Sequence, residues 1–220
     1  GRFGESGKVL DCTSGWGDRL FAAGAGGAAE YRGWDTNPDL QPVYAKIGNA
    51  IENAGHKLDW SIELAPFESA TPLFGPGGRY HAYFDMAFLC PPYFDKEVYQ
   101  GPETSTEAHQ TEERWYSGFY RPAVRSAAAG LRVGGHLLAY VPPGRMQRET
   151  AAIMEGLGFE DRGAVGFQQI VVGKRPIDRD TFVWRRRVSD TFVWRRRVSD
   201  TNVRRKKKIK RKTGGSARVP

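Results

Sequence analysis

The sequence predicts an α/β fold: a mostly parallel sheet flanked by helices, with an antiparallel hairpin at its far edge. Three stretches predict it. The first is Asp85-Met86-Ala87-Phe88-Leu89-Cys90-Pro91-Pro92-Tyr93-Phe94-Asp95. Met86 to Leu89 has no polar residue, as a strand buried on both faces should. Pro91 and Pro92 cannot donate to a sheet ladder, so the strand ends at Cys90 and a rigid loop carries Tyr93 and Phe94 over its carboxyl end. In open α/β sheets, ligands bind at that edge. The second stretch is Lys8-Val9-Leu10-Asp11-Cys12, a short apolar strand that runs into Thr13-Ser14-Gly15-Trp16-Gly17-Asp18 and then a helix. Gly15 and Gly17 allow close backbone approach to a ligand. The third is Glu30 to Asp35, a strand ending in an acid about one βαβ unit later. A carboxylate there suits a ribose diol.

The remaining elements follow in order. Gly1 to Gly7 reads as an irregular lead-in. Asp18 to Ala25 has helical composition, with Asp18 as a cap, and Gly24 to Gly27 ends it. Asn37-Pro38 opens a second helix, with Tyr44, Ile47 and Ile51 at helical spacing and a stop at Asn53 to Gly55. Leu58 to Leu64 alternates Trp60, Ile62 and Leu64 with polar residues, as a strand does. Thr71 to Arg79 reads as a surface loop, given its glycines and prolines.

Phe94 to Glu113 is long and polar, and leaves the Pro-Pro-Tyr loop, so it reads as a substrate-contacting lid. Glu112 to Gly130 is a helix with Trp115, Phe119, Ala123 and Ala127 on one face. Gly134-Gly135 turns into a strand, His136 to Val141, and Arg145 to Leu157 is a helix closed by Gly158. Phe167 to Val172 and Thr181 to Val188 form the edge hairpin.

Strand, glycine turn, helix, acid-terminated strand, then Pro-Pro-Tyr after a later strand: this order resembles the class I S-adenosylmethionine-dependent methyltransferases. Within them it is similar to the amino-methylating branch, which carries Asp-, Ser- or Asn-Pro-Pro-Tyr and includes the DNA adenine-N6 and cytosine-N4 methylases. The resemblance runs from Lys8 to Val188. It implies a Rossmann-like methyltransferase fold with a seven-stranded sheet, and S-adenosylmethionine as cofactor. It implies that Asp11, Thr13, Gly15, Gly17 and Asp35 serve the cofactor, and that Phe67 and Glu68, just past the third strand, flank its adenine. A loop aromatic tucked on the core beside a solvated acid is the other reading of that pair.

An amino group conjugated to a base ring is a poor nucleophile, because its lone pair is delocalised into the ring. In this family the side chain before the prolines and the carbonyl after it accept the amine's protons, which frees the lone pair. Here that first position is Cys90, and a thiol is a weak acceptor. The Pro91 carbonyl remains, and Pro92 stiffens the loop. Tyr93 offers a face on which a planar base stacks, and a duplex base must be flipped out to reach it. Asp95 either supplies the missing acceptor or caps the loop. The motif order fits adenine-N6 better than cytosine-N4 methylation. Methylation of a protein glutamine or an rRNA amine, and a catalytically impaired module that binds nucleic acid or acts as a structural subunit, are the alternatives.

Charge is uneven along the chain. Lys174 to Pro220 holds 18 Lys/Arg against 4 Asp/Glu, while Gly1 to Gly173 holds 15 against 21. A tail so basic points to a nucleic-acid or other polyanion contact, and the resemblance implies DNA more than RNA. Arg204, Arg205, Lys206, Lys207, Lys208 and Lys210 are its candidate phosphate contacts. TFVWRRRVSD at Thr181 to Asp190 recurs letter for letter at Thr191 to Asp200. The second copy either extends a basic, Trp-bearing ribbon or is a duplication without function. Residues 1–188 therefore read as a methyltransferase-like domain and 189–220 as a basic tail. Two cysteines, Cys12 and Cys90, argue for free thiols in a reducing, intracellular compartment. Nothing approaches a membrane-spanning apolar run. The histidines, His56, His81, His109 and His136, show no metal-ligand spacing.

Overall fold

A computed structural model describes residues 7–94, 99, 104–169 and 177–187, with side chains described outside 166–169 and 177–180. The chain divides at Arg187 and Val188 into two units, and all that follows concerns the first. Asp95, the second decapeptide copy, and Arg204 to Lys210 lie outside the described residues.

Seven strands form one sheet in the order β3-β2-β1-β4-β5-β7-β6. They are β1 (Lys8–Asp11), β2 (Glu30–Asp35), β3 (Asp59–Leu64), β4 (Phe84–Leu89), β5 (Leu131–Ala139), β6 (Phe159–Gln169) and β7 (Ile177–Arg186). The first five run parallel, and β7 is antiparallel to both β5 and β6. The order reverses at β1, between β2 and β4, so the tips of β1, β2 and β4 border one crevice.

One face of the sheet carries α1 (Asp18–Ala25) and α2 (Gln41–Asn53), packed through Leu20, Tyr44 and Ile51 against Val9, Tyr31 and Ile62. The other carries α3 (Thr71–Phe74), α6 (Arg121–Gly130) and α7 (Arg145–Gly156) over Leu10, Ala87, Leu89, Leu137 and Trp184. The parallel strands are apolar at their centres because both faces are covered there. Lys8 crosses the strand edge, its amide bonded to Asp85 Oδ2 at 2.7 Å and its ammonium 3.6 Å from the Tyr83 ring centroid.

Several elements differ from the sequence expectation. Thr71 to Arg79 is not merely a surface loop. Its first turn is α3, and Phe74 is buried with Tyr80 in an aromatic cluster that includes Trp34, Phe67 and Phe84. Glycines and prolines mark chain reversals but do not report what a long-range pocket does with one phenylalanine. The helix expected over Glu112 to Gly130 is interrupted. After α5 (Glu112–Trp115) comes a π-turn, Tyr116–Tyr120, before α6. Pro122 explains the slip, since it cannot donate to the carbonyl four residues earlier. The expected face survives: Trp115, Phe119, Ala123 and Ala127 are all buried.

β5 starts at Leu131, earlier than His136, and Gly134 and Gly135 form a bulge inside it, with Gly134 at φ 82°. β6 begins at Phe159, not Phe167, because β7 is long enough to pair with the polar run after Phe159. The turn Pro38–Leu40 is 3₁₀ and precedes α2, capped by the Asn37 side chain accepting from the Asp39 amide at 3.0 Å. Cys12 and Cys90 are not joined in a disulfide. Among the described residues no helix is long and apolar enough to cross a membrane, and no cluster of potential metal ligands exists.

Candidate active site

The tips of β1, β2 and β4 open into a cavity of about 410 Å³. That is within the range of about 300–1,000 Å³ usual for small-molecule sites. Its floor is the turn between β1 and α1. Three main-chain contacts fix that turn. The Ser14 amide donates to the Trp34 carbonyl at 2.8 Å, the Cys12 amide to the Phe88 carbonyl at 3.1 Å, and the Gly17 amide to the Ser14 carbonyl at 3.3 Å. Gly15 and Gly17 have φ of 55° and 86°, the region that glycine enters without cost. They differ in surroundings. A Cβ on Gly17 would sit 2.6 Å from Ile47 Cδ1, so this glycine lets α1 close on α2. A Cβ on Gly15 would meet only Arg19, at 3.9 Å, so the backbone here is open to a ligand.

Below the turn lies a buried ionic core. Asp11 is fully buried, and its Oδ2 accepts from Arg19 Nε at 2.7 Å and from Tyr31 Oη at 2.6 Å. Its Oδ1 accepts from the Thr13 amide at 3.2 Å. Arg19 also donates to the Thr13 carbonyl and lies over the Phe88 ring. Burial alone would lower the pKa of Arg19, but the charge of Asp11 and its hydrogen bond outweigh that and hold it firmly charged. Burial and Asp11 push the Tyr31 phenol up, so it stays a donor.

Asp35 ends β2 inside the cavity wall. Its Oδ2 accepts from the Gly15 amide at 2.7 Å and its Oδ1 from the Asn37 amide at 2.9 Å. Each oxygen keeps a second lone pair, so the carboxylate orients the turn and still faces the cavity. Its pKa is raised, mainly by burial and further by the charge of Asp11, against the two backbone bonds and the Tyr44 hydroxyl, which favour the anion. Tyr44 braces the same turn by donating to the Gly15 carbonyl at 2.6 Å. On the β3 side, Phe67 is buried against Trp34, with ring centroids 5.3 Å apart, and Glu68 has its pKa raised by burial.

The β4 tip closes the far side. Thr13 Oγ1 donates to the Cys90 carbonyl at 2.7 Å, which ties the glycine turn to the Pro-Pro-Tyr loop. Thr13, Gly15, Asp35, Phe67, Glu68, Cys90 and Pro92 all border the one cavity. Four expected site residues do not. Asp11 is spent on Arg19, Tyr31 and the turn's backbone. Gly17 faces α2, and Pro91 is buried. Tyr93 is half-buried against the aromatic cluster formed with Trp115 and Tyr120.

The structure also adds residues. Asp18 and Asp39 join Asp35 and Glu68 on the lining, where Arg19 is the one basic residue among those described, and it is already paired. Trp16, exposed to 75%, stands at the cavity's margin. Thr104 and Ser105, from the segment expected to be a lid, are buried in its wall. The place of Arg19 in the first turn of α1 is a sequence signal for it, whereas Thr104 carries none.

No family model matches the sequence, and no curated protein matches it. Solved structures do. One is a Pyrococcus horikoshii protein assigned as an RNA methyltransferase, with TM-score 0.52 and 14% identity over 84% of this chain and 76% of that one. A S-adenosylmethionine-dependent methyltransferase from Methanosarcina mazei gives TM-score 0.51 and 11% identity over 84% of this chain and 94% of that one. A methyltransferase from Pyrococcus furiosus gives 0.50 and 14% over 84% and 78%. At such identities the likeness concerns the fold: a seven-stranded, mostly parallel sheet of the Rossmann-like methyltransferase type.

Proposed function

We propose that this protein is an S-adenosylmethionine-dependent methyltransferase that methylates an exocyclic amino group of a nucleic-acid base, adenine N6 before cytosine N4, in DNA before RNA. The observation that carries it is the single cavity bordered by both Asp35 with Gly15 and Cys90 with Pro92. The cofactor's expected residues and the expected amine site meet there, bridged by the Thr13–Cys90 bond.

The residues present fit the cofactor. Gly15 leaves its backbone open, Asp35 offers free lone pairs at the tip of the second strand, and Phe67 gives an apolar wall. The acidic lining suits a ligand that carries a sulfonium and an ammonium. Bound there, S-adenosylmethionine supplies an activated methyl group on sulfur.

The chain's own work is then positioning and dehydration. Asp35 orients the glycine turn through the Gly15 amide. Arg19 and Asp11 hold the same turn from beneath. Pro91 and Pro92 stiffen the loop, and Cys90 and Pro92 border the edge of the cavity at which the amine is taken. Tyr93 comes next in the chain without bordering the cavity, and Asp95 lies two residues beyond it. The basic segment at Arg204, Arg205, Lys206, Lys207, Lys208 and Lys210 supplies phosphate contacts that the acidic body cannot.

The test is transfer of a radiolabelled methyl from S-adenosylmethionine to mixed DNA, RNA and protein. Label in DNA at adenine N6 is expected. Label only in protein or rRNA moves the substrate to the amide or rRNA alternatives. No label, with no cofactor binding by calorimetry, ends the enzyme reading.

A further inference from the structure

Tyr93 does not border the cavity, so the stacking face expected of it must come from another ring. The aromatic residues on the lining are Trp16, Trp34, Phe67, Tyr99 and Phe119. Trp34, Phe67 and Phe119 are at most 3% exposed and packed in the core, so they form wall and leave no open face. Tyr99 is exposed but has an interaction of its own. Thr104 and the first residues of the short helix α4 (Ser105–Ala108) bring only hydroxyls. Trp16 is the most exposed of these rings, at 75%.

The main chain displays that indole on a pinned corner. Ser14 to Gly17 is a reverse turn, closed by the Gly17 amide on the Ser14 carbonyl at 3.3 Å, and Trp16 is its third residue. Gly15, just before it, is held twice: its amide donates to Asp35 Oδ2 at 2.7 Å, and its carbonyl accepts from Tyr44 Oη at 2.6 Å. Gly17, just after it, is wedged so close to Ile47 that a Cβ would not fit. Proteins bury most of their tryptophan surface. A tryptophan exposed on a fixed turn at a cavity margin is a contact face formed before the ligand arrives.

Its polar neighbours decide what that face receives. Asp18 and Asp39 share the lining and are exposed, while Arg19 is already paired with Asp11. Carboxylates repel phosphate, so this margin does not hold a strand by its backbone. An indole stacks on the flat face of any base. The cofactor's adenine is expected past β3, at Phe67 and Glu68, whereas Trp16 is carried by the turn after β1. We propose that Trp16 stacks on a base of the nucleic-acid substrate at the cavity margin, in the role expected of Tyr93. The proposal rests on the base-methylating reading above and names the ring that holds the base.

The full-length protein, saturated with S-adenosylhomocysteine, is titrated with two fluorescent single strands of equal length. One carries adenine at every position and the other is abasic throughout, so the ratio of their affinities cancels the phosphate contacts. Wild type prefers the base-bearing strand. Trp16→Leu lowers that preference about tenfold, the worth of one stacked base, and Trp16→Phe, which keeps a ring, lowers it less. The replaced side chain is exposed, so folding is not at stake. S-adenosylhomocysteine affinity, by calorimetry, is equal in all three. A preference unchanged in Trp16→Leu overturns the proposal, as does a wild type with none. Loss of S-adenosylhomocysteine binding in Trp16→Leu overturns it too, by assigning the indole to the cofactor. Failure of the wider reading looks different: wild type then binds no S-adenosylhomocysteine, and this proposal falls with it.

Discussion

Thr13 donates its hydroxyl to the Cys90 carbonyl across 2.7 Å, although the two residues lie 77 positions apart. The bond joins the turn after β1 to the loop after β4, the two strands that flank the reversal of sheet order. Thr13→Val keeps the shape and removes the donor. Its expected cost is about 0.5–1.5 kcal/mol of stability. Because the bond sets the two loops against each other, methyl transfer should fall more than cofactor affinity does. Thermal unfolding and single-turnover label transfer, compared with calorimetric S-adenosylmethionine binding, check this. Equal losses in rate and affinity would sink the idea of a registering bond.

The Arg19–Asp11 pair supports the turn from below, with Asp11 fully buried and the Arg19 side chain 27% exposed. Arg19→Met keeps the side chain's bulk but removes the guanidinium that lies over Phe88 and leaves Asp11 without its cation. Breaking a buried pair this way costs about 3–5 kcal/mol. The expected result is a large drop in the denaturation midpoint with an unchanged m-value. Arg19→Lys should recover part of it, since Lys restores charge without the fork that also reaches the Thr13 carbonyl. A midpoint near wild type in Arg19→Met would show that the pair is not a support.

Gly33 in β2 has no unusual backbone, yet it has no room for a methyl. A Cβ there would lie 2.2 Å from Ser14 Oγ, 3.0 Å from Ile62 Cγ1 and 3.1 Å from Tyr31 Cε1. Gly33→Ala should therefore destabilise by about 1–3 kcal/mol, as overpacking does. It should also push Ser14 and weaken S-adenosylmethionine binding, since Ser14 belongs to the cofactor turn. Chemical denaturation and calorimetry read both effects, and Gly27→Ala is a control, with no atom within 4 Å of the added carbon but φ at 75°.

These sites separate what the chain announces from what it conceals. The bounds of α1 and β2, and Asp35 at the strand tip, follow from local apolar patterning, and the structure has them as Asp18–Ala25 and Glu30–Asp35. The edge hairpin also follows, though β6 starts eight residues sooner than its apolar part suggests, because pairing with β7 and not side-chain pattern sets its length. Arg19 and Asp11 are eight residues apart and meet only because the turn folds α1 back over β1. The sequence carries Tyr93 over the carboxyl end of its strand to offer a face to a base, yet the main core cluster draws it partly inward. Thr104 is set by that same cluster through Ser105 and Trp115, a contact between two segments that neither encodes alone.

Cys90→Ser replaces a weak acceptor by a hydroxyl at the head of the Pro-Pro-Tyr loop. The label-transfer rate should rise several-fold, about what one added hydrogen bond supplies. The backbone carbonyl of residue 90 is unaffected, so the Thr13 bond and the cofactor affinity should stay as they are. A rate lowered by the substitution would mean that the thiol's size or polarity, and not its poor accepting power, is what the site uses.

Cofactor binding should depend on pH through Asp35. Burial raises the pKa of this carboxyl above its ordinary 3.8. The native protein alone thus holds the Asp35 proton more tightly than the unfolded chain does. Its contribution to stability is then greatest in acid and declines as pH rises from the unfolded pKa through the native one. A cationic ligand reverses the preference, because it favours the carboxylate beside it. Affinity should therefore be full above the raised pKa and fall toward tenfold per pH unit below it. Glu68 has its pKa raised too, mainly by burial. Calorimetric titrations of S-adenosylmethionine from acid to neutral pH follow both groups. Asp35→Asn should lower affinity at neutral pH and remove the larger part of the acid slope, and Glu68→Gln the rest. An Asp35→Asn variant with the wild-type slope would place the titrating group elsewhere. A slope absent from wild type would mean that the carboxylate only holds the Gly15 amide and does not meet the ligand.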